Sequence, residues 1–157
     1  MFGATRQVKS GVNAEEQSAK LQAVDKVQAV IEFNPDGTII TANENFLKTV
    51  GYSLSEIQGQ HHRMFCDQAY VGSREYQAFW QKLNRGEFDA GQYRRLGKGG
   101  KEIWIQASYN PVFDQTGTLI KVVKFAIDIT AQKQAEAALE KSALELERRN
   151  LELAGAH

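Results

Sequence analysis

The sequence predicts an α+β domain: a five-stranded antiparallel sheet with helices on one face and a further helix at each end. Three observations predict it. Two β-rich runs flank the turn Asn34-Pro35-Asp36-Gly37, three longer β-rich runs joined by short loops close the globular part, and the helical patterns fall between these groups. Short loops make sequential strands antiparallel neighbours.

The elements follow in order. Residues 1–12 carry no periodicity and are read as a disordered lead. Over residues 13–27 Asn13 can cap a helix, Glu15 and Glu16 suit its first turn, and Leu21, Val24 and Val27 recur at helical spacing. Gln28–Phe33 and Thr38–Thr41 form a hairpin, because proline presets φ and glycine supplies the positive-φ position. Asn43 caps a short helix, Glu44–Val50, that Gly51 ends. Ser53 and Glu56 make a capping box for one more turn, closed at Gly59. Gln60–Gly72 is irregular and holds His61, His62, Phe65 and Cys66. Ser73–Arg85 reads as a helix whose Tyr76, Phe79, Trp80 and Leu83 form one stripe.

Three strands follow, Phe88–Leu96, Glu102–Phe113 and Leu119–Thr130. In the middle one Ile103, Ile105, Ala107 and Tyr109 alternate with Trp104, Gln106, Ser108 and Asn110, so the two sets face opposite ways. Residues 131–157 read as a long exposed helix with coiled-coil character, since Leu139, Leu146 and Leu153 repeat every seven residues and Leu144 and Leu151 make a second stripe.

Composition narrows the function. The chain has 157 residues, with Lys+Arg and Asp+Glu both 19, so it lacks the basic surface that binds nucleic acid or anionic lipid. It has no apolar run long enough for membrane insertion. One cysteine, Cys66, permits no internal disulfide, and the expected compartment is the cytoplasm. Catalysis finds no base oriented by a third group, and His-His-x-x-x-Cys offers no fourth zinc ligand. Arg94-Arg95 reads as a solvated pair, and Gly97-Lys98-Gly99-Gly100 as a strand connection.

Helices on one face of the sheet leave a cavity suited to a small ligand. The reverse face is too apolar to stand in water, with Trp104 on one strand and Val123, Phe125, Ile127 and Ile129 alternating on the last. A face of Trp104, Phe125 and Ile127 covered by Leu21 and Val24, or by a second chain, follows. A homodimer is the expected assembly.

These motifs carry a family resemblance. Asn34-Pro-Asp-Gly-Thr-Ile-Ile-Thr-Ala-Asn43 with Asn45-Phe46, Gly51-Tyr-Ser-Leu-Ser-Glu-Ile57 with Gly59, Lys98-Gly-Gly-Lys-Glu-Ile-Trp104, Asn110-Pro-Val112 and Asp128-Ile-Thr130 fall in the order seen in PAS sensory domains. The match spans about residues 28–130. It is nearest to PAS domains of cytoplasmic methyl-accepting chemotaxis receptors, which share stretches like His61-His-Arg-Met-Phe65, Phe79-Trp80 and Trp104-Ile-Gln-Ala-Ser-Tyr-Asn-Pro111. The resemblance implies a non-catalytic signal-transduction module that binds a small ligand or redox cofactor and passes its state through the flanking helices to a downstream signalling domain or protein. The alternative is a cofactor-free dimerisation module. No methyl-accepting domain is present, so a fragment or a stand-alone sensor is expected.

The resemblance to aerotaxis receptors, at His62, Trp80, Trp104 and Ala107, implies FAD as the favoured cofactor, with haem or none as alternatives. The pattern departs from theirs at Cys66 and at Phe88-Asp89. Thiol-adduct photochemistry is not expected, because His62 stands where that cysteine belongs and Ile105 where those photoreceptors carry asparagine. Phe65, Trp80, Tyr93, Ile105 and Tyr109 would line the slot, and Asn43, His61 and His62 would reach polar atoms; a haem would take His61 or His62. For output, Thr130 would cap the last helix and Asp128 would bond across the junction.

Overall fold

The computed structural model describes residues 15–16, 19–20, 23 and 27–155. Within the expected N-terminal helix, Glu15, Glu16, Ala19, Lys20, Ala23 and Val27 are helical, whereas Leu21 and Val24 lie outside the described residues.

The chain runs β1 (Ala29–Phe33), β2 (Ile39–Ala42), α1 (Glu44–Val50), α2 (Leu54–Ile57), a 3-10 turn (His62–Phe65), α3 (Gln68–Val71), α4 (Arg74–Asn84), β3 (Asp89–Leu96), β4 (Glu102–Phe113), β5 (Leu119–Asp128) and α5 (Thr130–Gly155). The five strands form one sheet in the order β2-β1-β5-β4-β3, and every neighbouring pair is antiparallel. The expected sheet and its helical cover are therefore both present. The stretch 60–72 holds more order than its sequence suggests, since the 3-10 turn and α3 divide it. The last strand stops at Asp128, and Thr130 already belongs to the helix.

Local chemistry accounts for the boundaries. The side chains of Asn43, Asp67 and Ser73 accept from the backbone N–H groups of Phe46, Tyr70 and Tyr76, satisfying donors that a helix start leaves open. Ser53 and Glu56 form the expected capping box. Gly51 ends α1 at φ 77°, a left-handed conformation that favours glycine.

Burial follows the strand period. Ala29, Ile31 and Phe33 of β1 and Ile103, Ile105, Ala107 and Tyr109 of β4 are buried on the helix-covered face. On β5 the buried set is Val122, Lys124 and Ala126. The more apolar set points the other way: Val123 and Phe125 are half-buried and Ile127 is 49% exposed. Lys124 pairs across the ladder with Ile31 on one side and Tyr109 on the other, which places a lysine in mid-sheet on the core face. Helix α5 buries no residue of its own, and its five leucines stay exposed.

Candidate functional site

The site lies between the sheet and its helical cover. His62 opens the 3-10 turn and is fully buried. Its Nδ1 lies 2.9 Å from the Tyr76 hydroxyl and its Nε2 2.9 Å from the Tyr109 hydroxyl. Arg95 donates from Nη2 to the same Tyr109 oxygen at 3.0 Å. Arginine only donates, so Tyr109 accepts from it. A neutral imidazole carries one ring proton, so His62 donates to one of the two tyrosines and accepts from the other. Arg95, Tyr109, His62 and Tyr76 are thus joined in one connected chain in which each bond polarises the next.

Rings enclose this chain. Phe79 meets Tyr109 edge-on at 4.7 Å between centroids, and Phe33, Phe65 and Trp80 all pack around His62. Tyr93 completes the box against Tyr109 at 5.3 Å, and its hydroxyl donates to Asp89. Burial holds the His62 imidazole well below its ordinary pKa, with the nearby Arg95 charge acting in the same direction. Burial also pushes the Tyr109 phenol up to about 12.

Two cations share this interior. Arg95 is 4% exposed and Lys124 is 1% exposed. Neither belongs to an ion pair among the described residues. They rest on ring faces instead: Lys124 Nζ is 4.8 Å from the Tyr109 centroid, and the Arg95 guanidinium is 4.9 Å from that of Tyr93. Arg95 Nε is buried with no hydrogen-bond partner. Burial first, then Arg95, drives the Lys124 amine well below the usual lysine range. The expectation of a solvated Arg94-Arg95 pair therefore holds for Arg94 alone, which is exposed and bonded to Asp67 and Glu102. Alternation along β3 turns its neighbour inward.

Ile105 and Phe65 line the small cavity beside these cations, with Ala29, Phe46, Val50, Ile103 and Ala126 as its other apolar walls. Arg95, Lys124 and Asp128 also border it. Its volume is about 10 Å³, room for one water at most. An isoalloxazine or a haem needs a pocket of roughly 300 Å³ or more. The residues present do not fit either group in this arrangement. Neither histidine offers an open nitrogen to an iron. His62 spends both on tyrosines, and His61 uses Nε2 on the Asp36 carbonyl at 2.8 Å and Nδ1 on the Arg63 N–H at 3.1 Å.

The eight expected pocket residues thus divide. His62, Phe65, Trp80, Tyr93 and Tyr109 meet in the ring box, and Ile105 lies on the cavity wall. His61 is a turn residue that ties the β1–β2 loop down. Asn43 is a backbone pin: its Oδ1 accepts from Phe46 and Val30, both at 2.9 Å, and its amide donates to the Gln28 carbonyl. Arg95 and Lys124 were not expected. The signal for Lys124 lay in its sequence phase, since it shares Val122 and Ala126 as period-two neighbours. Cys66 is buried within 3.8 Å of His62 Nδ1, and burial raises its pKa, which keeps the thiol unreactive. Among the described residues no group of three His, Cys, Asp or Glu could hold a metal ion.

At the output end the two expected coupling residues are both engaged, with exchanged parts. Asp128 makes the local bond, its Oδ1 accepting from the Thr130 N–H at 2.8 Å. Thr130 reaches across, its Oγ1 accepting from the Trp104 N–H of β4 at 3.0 Å. The Trp104 carbonyl also accepts from Ile129 N–H at 2.8 Å. The exchange arises because the strand ends at Asp128, which puts that carboxylate two positions ahead of Thr130, the first residue of the helix. Trp104 sits half-buried beside α5, with Lys133 Nζ 5.3 Å from its ring. Phe125 and Ile127 border an open groove on the outer face.

Comparison with known proteins agrees with this architecture. Residues 39–126 match the family model described as the PAS fold. The biofilm dispersion protein BdlA of Pseudomonas aeruginosa is 46% identical over 125 residues, covering 78% of this chain and 30% of that protein. The oxygen sensor protein DosP of Escherichia coli is 30% identical over 113 residues, covering 71% of this chain and 14% of that protein. The chain thus spans less than a third of the curated relatives it matches. The crystal structure of a PAS domain from Colwellia psychrerythraea superposes with a TM-score of 0.62 at 23% identity, covering 73% of this chain and 98% of that one. The chain belongs to the PAS-fold family.

Proposed function

We propose that this chain is a non-catalytic sensory module of bacterial signal transduction, acting in the cytoplasm, in which the state of the interior cavity biases the helix α5. One observation carries the reading. Asp128 both borders the cavity and accepts the hydrogen bond that starts α5. A change of charge or hydrogen bonding inside therefore reaches the helix through one side chain. A switch needs such an element with two arrangements that the cue favours unequally. The names of BdlA and DosP, a dispersion protein and an oxygen sensor, are in keeping with it.

The output is a downstream signalling domain or protein. A second copy of the chain is the proposed partner for the exposed leucine stripes and for the outer face at Trp104, Phe125 and Ile127. FAD or haem, the cofactors the resemblance implies, join this reading only if the ring box parts. The absorption spectrum of the purified protein reads that directly. A cofactor-free dimerisation module is the second reading, favoured by a cavity that the chain's own side chains nearly fill.

Hydrogen exchange along α5 tests the coupling. Asp128→Ala and Thr130→Ala are expected to loosen the first turns of α5 and to leave any interior ligand bound. A variant that loses its ligand while α5 stays protected overturns this division of labour.

A further inference from the structure

We propose that the cavity between Lys124 and Arg95 is a binding site for a small carboxylate, an acid of roughly two to four carbons. This goes beyond the sensory reading and rests on it only for the link to α5.

The argument starts from cost. Burying a cation without a carboxylate partner is expensive, and here two are buried together. Ring faces return part of that cost and supply no negative charge. The one carboxylate bordering the cavity, Asp128, is exposed, accepts from Thr130 N–H and pairs with neither cation among the described residues, so the two charges lack a buried counter-anion.

The wall chemistry selects the kind of anion. The guanidinium of Arg95 is a planar fork that matches the two oxygens of a carboxylate. Its Nη1 donates to the Arg94 carbonyl and its Nη2 to Tyr109, while Nε–H lacks an acceptor. Lys124 approaches from the next strand but one, across β4, as a compact point charge on a long stem. Ala29, Val50, Ile103 and Ala126 form apolar walls suited to a short carbon tail. Chloride would satisfy the charge and leave those walls without a partner.

Space follows from the same two side chains. The cavity now admits one water at most, and both head groups are parked on ring faces. A carboxylate therefore enters only as the head groups leave the rings and the apolar walls part around the carbon tail. Asp128 borders the same space, so an arriving negative charge repels the carboxylate that holds Thr130 N–H. Occupancy then shifts the start of α5.

Calorimetric titration of the purified full chain with acetate, propionate and succinate, against chloride at equal ionic strength, tests the site. Saturable binding of at least one acid is expected in the millimolar range or tighter. Lys124→Met should weaken it about tenfold or more, the usual scale for losing a charge-assisted contact, and should fold because it puts an apolar chain in an apolar place. Lys121→Met, which removes a partly exposed lysine paired with Glu32, should bind as the parent does. Should the Lys124 variant fail to fold, saturable chemical-shift changes at Tyr109 of the isotopically labelled parent on adding acetate replace it, and no change there overturns the site. Absence of saturation with all three acids, equal binding of chloride, undiminished binding by Lys124→Met, or a flavin or haem spectrum each overturns the site. Binding with α5 unchanged in hydrogen exchange retains the site and removes only the sensory link.

Discussion

Thr130 and Trp104 are joined by a 3.0 Å hydrogen bond from the Trp104 backbone N–H to the Thr130 hydroxyl oxygen. It fastens the first residue of the terminal helix to the strand next to the sheet centre. Together with the Ile129 N–H bond to the Trp104 carbonyl, it is where sheet and helix share backbone bonding. Thr130→Val keeps the shape and removes the acceptor. It should cost about 1 kcal/mol and speed amide exchange at Trp104, measured by native-state hydrogen exchange. Exchange at Trp104 equal to the parent would show that the clamp carries no strain between strand and helix.

Lys124 should be a net liability to folding. Replacing it with methionine removes a buried cation and keeps the chain length. Stability should rise by about 1–3 kcal/mol, read from the urea midpoint at unchanged m-value. A fall would mean that its ring contacts with Tyr109 outweigh its desolvation.

His62 bridges Tyr76 and Tyr109, and its loss leaves both hydroxyls without that partner in a ring-lined void. His62→Ala should destabilise by about 2–4 kcal/mol, measured by chemical denaturation. His62→Gln, which can still donate and accept, should recover part of the loss.

The same residue sets an acid limit. Burial depresses the folded-state pKa of His62 from 6.5, so below pH 6.5 the unfolded chain takes up a proton that the folded chain refuses. Stability therefore falls as pH drops from 6.5 toward the folded value, at up to about 1.4 kcal/mol per pH unit. Thermal melts between about pH 7 and 5, above the range where carboxylates titrate, should show this slope. His62→Gln should flatten it.

Gly37 sits at φ 92°, and a Cβ there would stand 2.5 Å from His61 Nε2 and 3.1 Å from the Trp80 ring. Gly37→Ala combines left-handed strain with a clash against the histidine that ties down the loop. It should destabilise by about 1–3 kcal/mol, measured by thermal melting. A change within a few tenths would show that His61 swings aside freely.

The helix starts were legible because each rests on a side chain a few residues from the donors it satisfies. Asn43, Ser53 and Ser73 were recognisable for that reason, and so was the buried alternation Ile103, Ile105, Ala107, Tyr109. The ring box was half legible. Tyr76, Phe79 and Trp80 announce a stripe at helical spacing, but nothing near His62 in the chain points to Tyr109, which lies 47 residues away. His61 and His62 looked alike and differ completely in place, because the 3-10 turn begins between them and sends one ring to the loop and the other into the core.

By itself, then, the sequence determined the strands and main helices, their order, the caps at Asn43, Ser53 and Ser73 and the family resemblance, since these follow from neighbours along the chain, whereas the 3-10 turn, α3 and its Asp67 cap emerged only in the folded chain. The period along β5 already places Val123, Phe125 and Ile127 on the reverse face, and that assignment holds. Tertiary structure decided what the inner phase Val122-Lys124-Ala126 meets. Pairing with β1 and β4 makes Lys124 the cross-strand neighbour of Ile31 and Tyr109, which are themselves turned inward, and so buries a lysine at mid-sheet. Long-range pairing therefore set two cations beside one cavity, where local sequence showed only ordinary strand residues.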